Sequence, residues 1–253
     1  MEFSREMTKK LQALLSPIRR AINDYNMIED GDKIALGLSG GKDSLALLVC
    51  LATYKKFSPN PFDLIAINID LGLGTDKDQQ QKIIDLCKDL EVPLYIVESQ
   101  IGPIIFDERK ETSPCSLCSK MRRGALCTKA NELNANKIAL AHHADDLMET
   151  MLLSMFYEGR ISTFAPVSYM DRTKVSVIRP MVYVEEKEVI GLAKHLPVLT
   201  NPCCANHTTQ REYMKNLLKK ISKDIPIAKD RFRSAITHPE RNNLWTQKKD
   251  NDL

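Results

Sequence analysis

The segment from residue 33 to residue 52 constrains the fold more than any other part of the chain. The apolar run Lys33–Leu38 predicts a strand, and the apolar run Leu45–Ala52 predicts the body of a helix. The glycine-rich turn between them consists of Ser39, Gly40, Gly41, Lys42, Asp43 and Ser44. Free N–H groups at a helix N-terminus attract anions, and glycines let a phosphate approach the backbone closely. The segment therefore predicts a phosphate-binding loop in an α/β fold.

The residue spacing of this loop differs from that of the Walker A phosphate-binding loop. Three residues separate Gly37 from Gly41, and Asp43 stands between Lys42 and Ser44. A Walker A loop has four residues in that gap and places Ser or Thr directly after the lysine. A glycine turn without a ligand is the alternative interpretation, but the position between a strand and a helix favours a phosphate loop of a different type.

Apolar runs and amphipathic patterns alternate along most of the chain. The predicted strands are Lys33–Leu38, Leu64–Asp70, Leu94–Val97, Lys137–Leu140 and Val175–Ile178. The predicted helices are Met7–Asn26, Asp43–Tyr54, Lys77–Leu90, Leu117–Asn134, Asp145–Tyr157, Glu185–His195, Thr208–Ser222 and Ile227–Ala235. This alternation predicts an α/β protein with a mostly parallel, doubly wound sheet and helices on both faces. We divide the chain into an N-terminal helical segment (1–30), an α/β domain (31–200) and a basic, helical C-terminal segment (201–253).

The predicted sheet also indicates where a nucleotide would bind. Ligands of open α/β sheets lie at the carboxyl ends of the strands, where the strand order reverses. With the order 3-2-1-4-5, the phosphate loop faces the segment Ala141–Thr150, so the nucleotide is expected between them. Further candidate nucleotide-binding side chains are Asp70, His142 and Asp145, and the candidate Mg²⁺ ligands are Asp43 and Asp146. Capping of the following helix is an alternative role for Asp145 and Asp146.

A second group of candidate residues consists of cysteines. Cys115 and Cys118 form a C-x-x-C pair that leads into a basic helix, and Cys203 and Cys204 follow Pro202 far downstream. Three interpretations remain open at this point: a structural zinc with four ligands, a redox dithiol, or an iron–sulfur cluster held by three cysteines. The other cysteines, Cys50, Cys87 and Cys127, lie on helices and are expected to be packing residues.

Composition and charge narrow the class of protein. The seven cysteines are an odd number, which argues against a disulfide framework. The first ten residues are too charged for a signal peptide, and no apolar stretch is long enough to span a membrane, so a cytoplasmic location is expected. Arg109–Lys129 has six basic residues against one acidic, and Arg211–Lys249 has eleven against four. These stretches favour a polyanionic partner, with solvated helix faces as the alternative.

Taken together, these motifs resemble the TtcA family, the tRNA 2-thiocytidine synthetases, within the PP-loop ATP-pyrophosphatases. The similarity lies in the SGGxDS loop at 39–44 and in residues 18–33, 115–125, 137–146, 155–159 and 178–180. The resemblance implies a PP-loop/HUP-type fold and binding of ATP with Mg²⁺ at the loop. It also implies a [4Fe–4S] cluster on Cys115, Cys118 and Cys203, where Cys203 is preferred to Cys204 because it follows Pro202.

The resemblance further implies the reaction and the partners. The 2-oxygen of cytosine 32 in a tRNA anticodon loop would be adenylated by ATP and then replaced by sulfur delivered from the cluster. Expected partners are tRNA, a sulfur donor system of the cysteine desulfurase type and a second copy of the chain in a homodimer. The alternatives are thiolation of another nucleobase, as in 2-thiouridine synthesis, and a non-catalytic nucleotide-binding protein with a structural zinc.

Overall fold

The computed structural model describes residues 3–74, 76–109, 114–200 and 210–244. The strands are β1 (Asp32–Gly37), β2 (Phe62–Asp70), β3 (Leu94–Glu98), β4 (Lys137–Ala139), β5 (Val167–Met170) and β6 (Val175–Ile178). The helices are α1 (Arg5–Asp24), α2 (Lys42–Lys55), α3 (Lys77–Asp89), α4 (Ile101–Pro103), α5 (Pro114–Glu132), α6 (Ala144–Glu158), α7 (Glu186–Ala193), α8 (Gln210–Asp224) and α9 (Ala228–Thr237). A π-helical turn, Ile104–Glu108, follows α4, and a 3-10 turn covers Pro239–Arg241. All predicted strands and helices are present, and the ends that can be compared lie within three residues of the prediction; the predicted helix start at Thr208 lies outside the described residues.

The strands form one six-stranded sheet with the order β3-β2-β1-β4-β6-β5. β1, β2, β3, β4 and β6 all run parallel to one another. The predicted order of these five strands and the mostly parallel sheet are confirmed. Chain order reverses between β1 and β4, so the loops that follow these two strands meet at the switch point.

The edge strand β5 was not predicted. It pairs antiparallel with β6, with Val167 opposite Ile178 and Met170 opposite Val175. Its four residues are all partly or fully exposed, so the segment lacks the apolar run that identifies a buried strand. Pairing with β6, rather than burial, defines this strand.

Helices cover both faces of the sheet, as the sequence predicts. On one face, α1, α2, α3 and α7 share a core in which Leu14, Leu48 and Leu192 are buried together with Leu36 of β1. On the other face, Leu126 and Ala130 of α5 pack with the sheet residues Ile65 and Ile138. The phosphate loop therefore lies between two rigid elements, β1 and the fully packed helix α2.

Three cysteines are part of this core. Cys50 in α2, Cys87 in α3 and Cys127 in α5 are buried. Burial raises the pKa of the Cys87 thiol to about 11 and raises the pKa of Cys50 further. These thiols stay protonated at neutral pH and act as small apolar side chains.

The chain forms two compact units. The first comprises Met1–Leu147 and Phe164–Thr209, and the second comprises Met148–Thr163 and Gln210–Leu253. In the second unit, an apolar cluster is formed by Met148, Leu152, Met214 and Leu218. Within the part of the chain that the structure describes, no helix is long and apolar enough to cross a membrane.

Candidate active site

The phosphate loop is held by hydrogen bonds among its own residues. The Ser44 hydroxyl donates to the Gly41 carbonyl (3.0 Å) and accepts from the Ser39 N–H (3.2 Å). The Gly41 N–H in turn donates to the Ser39 hydroxyl (3.3 Å). Gly40 has a φ of +78°, a conformation that glycine adopts without strain. The two serines therefore fix the loop in front of the N-terminus of α2.

Lys42 of this loop lies between two carboxylates. Its Nζ is 2.7 Å from Asp43 Oδ1 and 3.2 Å from Glu186 Oε1 at the start of α7. Burial on its own would lower the pKa of Lys42, but the charges and hydrogen bonds of Asp43 and Glu186 together raise it. Because the lysine pKa is raised above its ordinary value, the ammonium is charged at neutral pH. Lys42 is thus a fixed cation beside the loop.

The segment after β4 meets the phosphate loop directly. His143 Nε2 is 3.7 Å from Asp43 Oδ1, and His143 Nδ1 is 3.4 Å from Asp146 Oδ2. The Asp146 carboxylate accepts the His143 N–H at 2.9 Å, which caps the first turn of α6. Asp145 is buried and accepts the Glu186 N–H at 2.7 Å. Asp146 thus combines a capping role with a position within 4 Å of the His143 ring, which also lies within 4 Å of Asp43, whereas Asp145 joins α6 to α7.

A cavity of about 480 Å³ connects the phosphate loop with the C-x-x-C pair. Its polar lining residues are Ser39, Asp43, Ser44, Cys115, Cys118, Ser119, Arg122, Arg123, His142 and Asp146. Its apolar wall includes Ile67, Ile69, Leu126 and Leu140. Side chains of the predicted phosphate loop, two thiols and two guanidinium groups therefore face one space, which also has an apolar wall.

The two cysteines of the C-x-x-C pair lie in the first two turns of α5. Pro114 is the first residue of α5, and the prediction had begun this helix three residues later, at Leu117. Cys115 is exposed and Cys118 is half-buried.

Asp70 lies in a second cavity beside the first. This cavity has a volume of about 250 Å³, and its lining includes Asp70, Gln79, Leu199 and Thr200. The Asp70 carboxylate accepts the Gly72 N–H at 3.0 Å. Its predicted contact with the nucleotide stays a prediction.

Arg179, which follows β6, is a buried cation. Its Nη1 donates to the Ala165 carbonyl (2.7 Å) and the Ser168 hydroxyl (3.2 Å), and its guanidinium lies 5.1 Å from the Phe164 ring centroid. Burial, together with the charge of Arg123, lowers the pKa of Arg179 to about 10. The Phe164 ring also lies 4.9 Å from the His142 ring, so this group supports one wall of the cavity.

The third predicted cluster ligand, Cys203, lies outside the described residues, as does Cys204. Within ranges 3–74, 76–109, 114–200 and 210–244, no three or more His, Cys, Asp or Glu side chains form a group that could hold a metal ion. Two candidate thiol ligands and two candidate Mg²⁺ ligands thus face the cavity, and each set requires a further ligand. For Mg²⁺, phosphate oxygens and water ordinarily supply the remaining positions.

Glu186 is the site residue that the sequence did not reveal. The sequence predicts Glu185–His195 as a helix, and Glu185 and Glu188 form its capping box. Acidic residues in a first helical turn are common, so the sequence does not distinguish Glu186 from its neighbours. Its contact with Lys42, 144 positions earlier in the chain, exists only in the folded protein.

The fold and the site together define a nucleotide-binding α/β protein with a PP-loop at the switch point of its sheet. The model of the PP-loop domain family matches residues 4–221. The chain belongs to the TtcA family, the tRNA-cytidine(32) 2-sulfurtransferases, which are sulfurtransferase enzymes. The resemblance found in the sequence is therefore confirmed.

Two relatives illustrate this membership. The tRNA-cytidine(32) 2-sulfurtransferase of Geotalea uraniireducens is 38% identical over 227 residues, covering 87% of this chain and 89% of the relative. The protein of the same name from Aliivibrio fischeri is 41% identical, covering 87% and 75%. The solved structure of the U34-tRNA thiolase NcsA from Methanococcus maripaludis with its [4Fe-4S] cluster has a TM-score of 0.74. The superposition covers 96% of this chain and 82% of the thiolase chain, with 24% sequence identity. This similarity is one of fold.

Glu186→Gln is expected to strengthen the binding of pyrophosphate about fivefold, or roughly 1 kcal/mol. The amide can still accept a hydrogen bond from Lys42, but one negative charge beside the phosphate loop is removed. Titration calorimetry at low and high salt measures the change, which salt should reduce. Glu185→Gln is the matched control, because Glu185 pairs with Lys187 at 2.8 Å. Equal effects of the two substitutions, or weaker binding by Glu186→Gln, contradict the prediction.

Proposed function

We propose that this protein is an ATP-dependent tRNA sulfurtransferase that replaces the C2 oxygen of cytidine 32 by sulfur. The observation that carries the proposal is the single cavity lined by both the phosphate loop and the C-x-x-C pair. One wall of this cavity can bind a nucleotide, and another presents thiols to the same space. The names of the relatives support tRNA and cytidine 32 as the substrate.

The phosphate loop activates the oxygen that is to be replaced. The C2 oxygen of the cytosine attacks the α-phosphorus of ATP, and pyrophosphate leaves with the electron pair of the broken P–O bond. Lys42, the serine hydroxyls and the N-terminus of α2 stabilise the charge that develops on the phosphates. Asp43 and Asp146 are the proposed Mg²⁺ ligands, since both line the cavity and both lie within 4 Å of the His143 ring. A sulfide (HS⁻) then adds to C2 with its own electron pair and loses its proton, and AMP departs with the original oxygen and the electron pair of the broken C–O bond.

The residues present fit a cysteine-held cluster. Thiolates are the ordinary protein ligands of iron–sulfur clusters, and two thiols in one helical turn can reach the same cluster. Arg122 and Arg123 on the same helix offset the negative charge of such a group. Cys115, Cys118 and Cys203 would hold a [4Fe–4S] cluster, which, when bound, supplies an iron with an open coordination position for sulfur.

Binding of tRNA is proposed to use the basic residues around this cavity. Arg122 and Arg123 line the cavity and suit contacts with the phosphates of an anticodon loop. A cytosine in such a loop can leave its stack and enter a pocket. A cavity of about 480 Å³ falls within the usual range for ligand pockets, about 300–1,000 Å³. A sulfur donor of the cysteine desulfurase type and a homodimer complete the proposal, as the resemblance implies.

Deleting the gene in its host is expected to remove 2-thiocytidine from tRNA, and re-expression of the chain is expected to restore it. Mass spectrometry of tRNA nucleosides measures both results. Loss of 2-thiouridine instead would assign the activity to another nucleobase. Unchanged thionucleosides, together with a colourless zinc-containing protein after anaerobic purification, would support a non-catalytic nucleotide-binding protein and contradict the proposed function.

A further inference from the structure

One face of α8 packs against α6, and the opposite face is exposed. The buried residues of α8 are Met214 and Leu218, which form an apolar cluster with Met148 and Leu152 of α6. An α-helix turns by about 100° per residue, so the residues opposite this buried face lie within about 120° of one another around the helix. We refer to them as the exposed face of α8, which consists of Tyr213, Asn216, Lys219, Lys220 and Lys223.

The exposed face of α8 carries three positive charges. Within the part of the chain that the structure describes, no carboxylate forms a salt bridge with Lys219, Lys220 or Lys223. The two acidic residues of this helix, Glu212 and Asp224, lie in its first turn and at its last residue. The three ammonium groups are therefore available to a partner that carries negative charge.

Two arginines of the same compact unit have a different role. Arg211 Nη1 lies 3.5 Å from Glu149 Oε2, a contact that joins the start of α8 to α6. Arg233 Nη2 lies 2.8 Å from Asp230 Oδ1, one turn earlier in α9. These ion pairs use the arginine charges within the protein. The basic residues of the unit are thus divided into arginines that stabilise it and lysines that face solvent.

Tyr213 adds an aromatic ring to the exposed face of α8. Its side chain is 64% exposed, although a tyrosine ring is largely apolar. At 1.5 Å per residue, the face extends about 15 Å from Tyr213 to Lys223. Bases of unpaired RNA stack on aromatic rings, and their phosphates bind ammonium groups, so this combination suits an RNA loop. Lysine is depleted from protein–protein interfaces, so a protein partner suits this face less well.

We propose that the exposed face of α8 is an RNA-binding surface for tRNA, in addition to the cavity. In this proposal Lys220 and Lys223 bind phosphates, and the ring of Tyr213 stacks on an unpaired base. Contacts with phosphates fix the position of a nucleic acid without reading its sequence. The surface therefore contributes affinity and orientation, while the cavity selects the base. This inference deepens the proposed function, because it takes tRNA as the substrate.

The test measures binding of a fluorescein-labelled, unmodified tRNA transcript to the full chain by fluorescence anisotropy at several salt concentrations. Lys220→Gln/Lys223→Gln is expected to weaken binding about tenfold at about 0.1 M salt. The slope of log K against log salt is expected to fall by about 1.4–1.8, because each lost phosphate contact removes about 0.7–0.9. Tyr213→Ala is expected to weaken binding at least about fivefold without changing the slope, and Tyr213→Phe is expected to bind as the wild type.

Lys55→Gln/Lys56→Gln is the matched control. These two exposed lysines lie at the C-terminal end of α2, about 20 Å along the helix from the phosphate loop, and their loss removes the same charge. Equal losses in the two lysine pairs would overturn the inference, because binding would then depend on overall charge. Unchanged binding by both the Lys220/Lys223 variant and Tyr213→Ala would also overturn it and would assign the face to a protein partner. Absence of tRNA binding by the wild type would contradict the proposed function together with the inference.

Discussion

Replacing Cys118 with serine is expected to abolish cluster binding and to lower tRNA thiolation at least about 100-fold, since loss of even an outer partner of a metal site costs about 10–100-fold. A serine hydroxyl is protonated at neutral pH and does not replace a thiolate as a ligand of iron. Cys118 is half-buried and lines the cavity, so the substitution removes a ligand with little change in packing. Visible absorbance after anaerobic purification and 2-thiocytidine in the complemented deletion strain measure the two effects.

Cys127→Ala is the control for the Cys118 substitution. Cys127 is on the same helix, but it is buried in the core, where burial raises the pKa of its thiol. Its substitution is expected to cost about 1 kcal/mol of stability and to leave the cluster and the activity in place. Normal colour and normal thiolation in Cys118→Ser would show that this thiol is not a ligand, and the proposed reaction would lose its sulfur site.

The fold could be predicted because its signals are local. The run Leu45–Ala52 is apolar at every position, and α2 is indeed buried on all sides, as expected for a helix enclosed between a sheet and other helices. Strand β2 is likewise an uninterrupted apolar run at its centre, typical of a parallel strand covered on both faces. The strand β5 lacks such a signal, because its position depends on pairing with β6 after a tight turn.

The site could be predicted only as far as single motifs describe it. The loop 39–44 and the C-x-x-C pair each indicate a ligand by their own residues. That both face one cavity depends on the order of β1, β4 and the packing of α5, and the sequence supports this only through the predicted topology. Contacts such as Lys42–Glu186 and Thr200–Gln79 join residues far apart in the chain, and neither partner has a distinctive pattern around it.

Asp145 and Asp146 show why adjacent residues of one type could not be separated by sequence. Both were predicted to contact the nucleotide or its metal, with helix capping as the alternative. The Asp145 carboxylate is buried against the Glu186 N–H, whereas Asp146 lines the cavity and also caps α6. Neighbouring residues of an α-helix are rotated by about 100° about the helix axis, so their side chains lie in different surroundings, and only the tertiary structure defines which one faces the cavity.

Gly40→Ala is expected to lower the free energy of unfolding by about 2 kcal/mol and to weaken nucleotide binding at least about tenfold. Gly40 has a φ of +78°, which costs an alanine about 1–2 kcal/mol. The new Cβ would also lie 2.3 Å from Leu199 Cδ1 and 3.1 Å from Ile83 Cδ1, so the Leu199 side chain must move. Urea unfolding of the nucleotide-free protein measures the first effect, and calorimetric titration with α,β-methylene ATP measures the second.

Two further variants, Gly41→Ala and the double substitution Gly40→Ala/Leu199→Ala, separate the backbone strain at Gly40 from the overlap of the new Cβ with Leu199. Gly41 has an extended backbone with a φ of −75°, and the nearest atom to an added Cβ is Ser39 Oγ at 3.4 Å. Its substitution should therefore destabilise the protein less than Gly40→Ala does. Combining Gly40→Ala with Leu199→Ala relieves the overlap but not the backbone strain, so the two substitutions should be less than additive. Strict additivity, or equal effects at the two glycines, would mean that Leu199 does not pack on the phosphate loop in the way that its contact with Gly40 indicates.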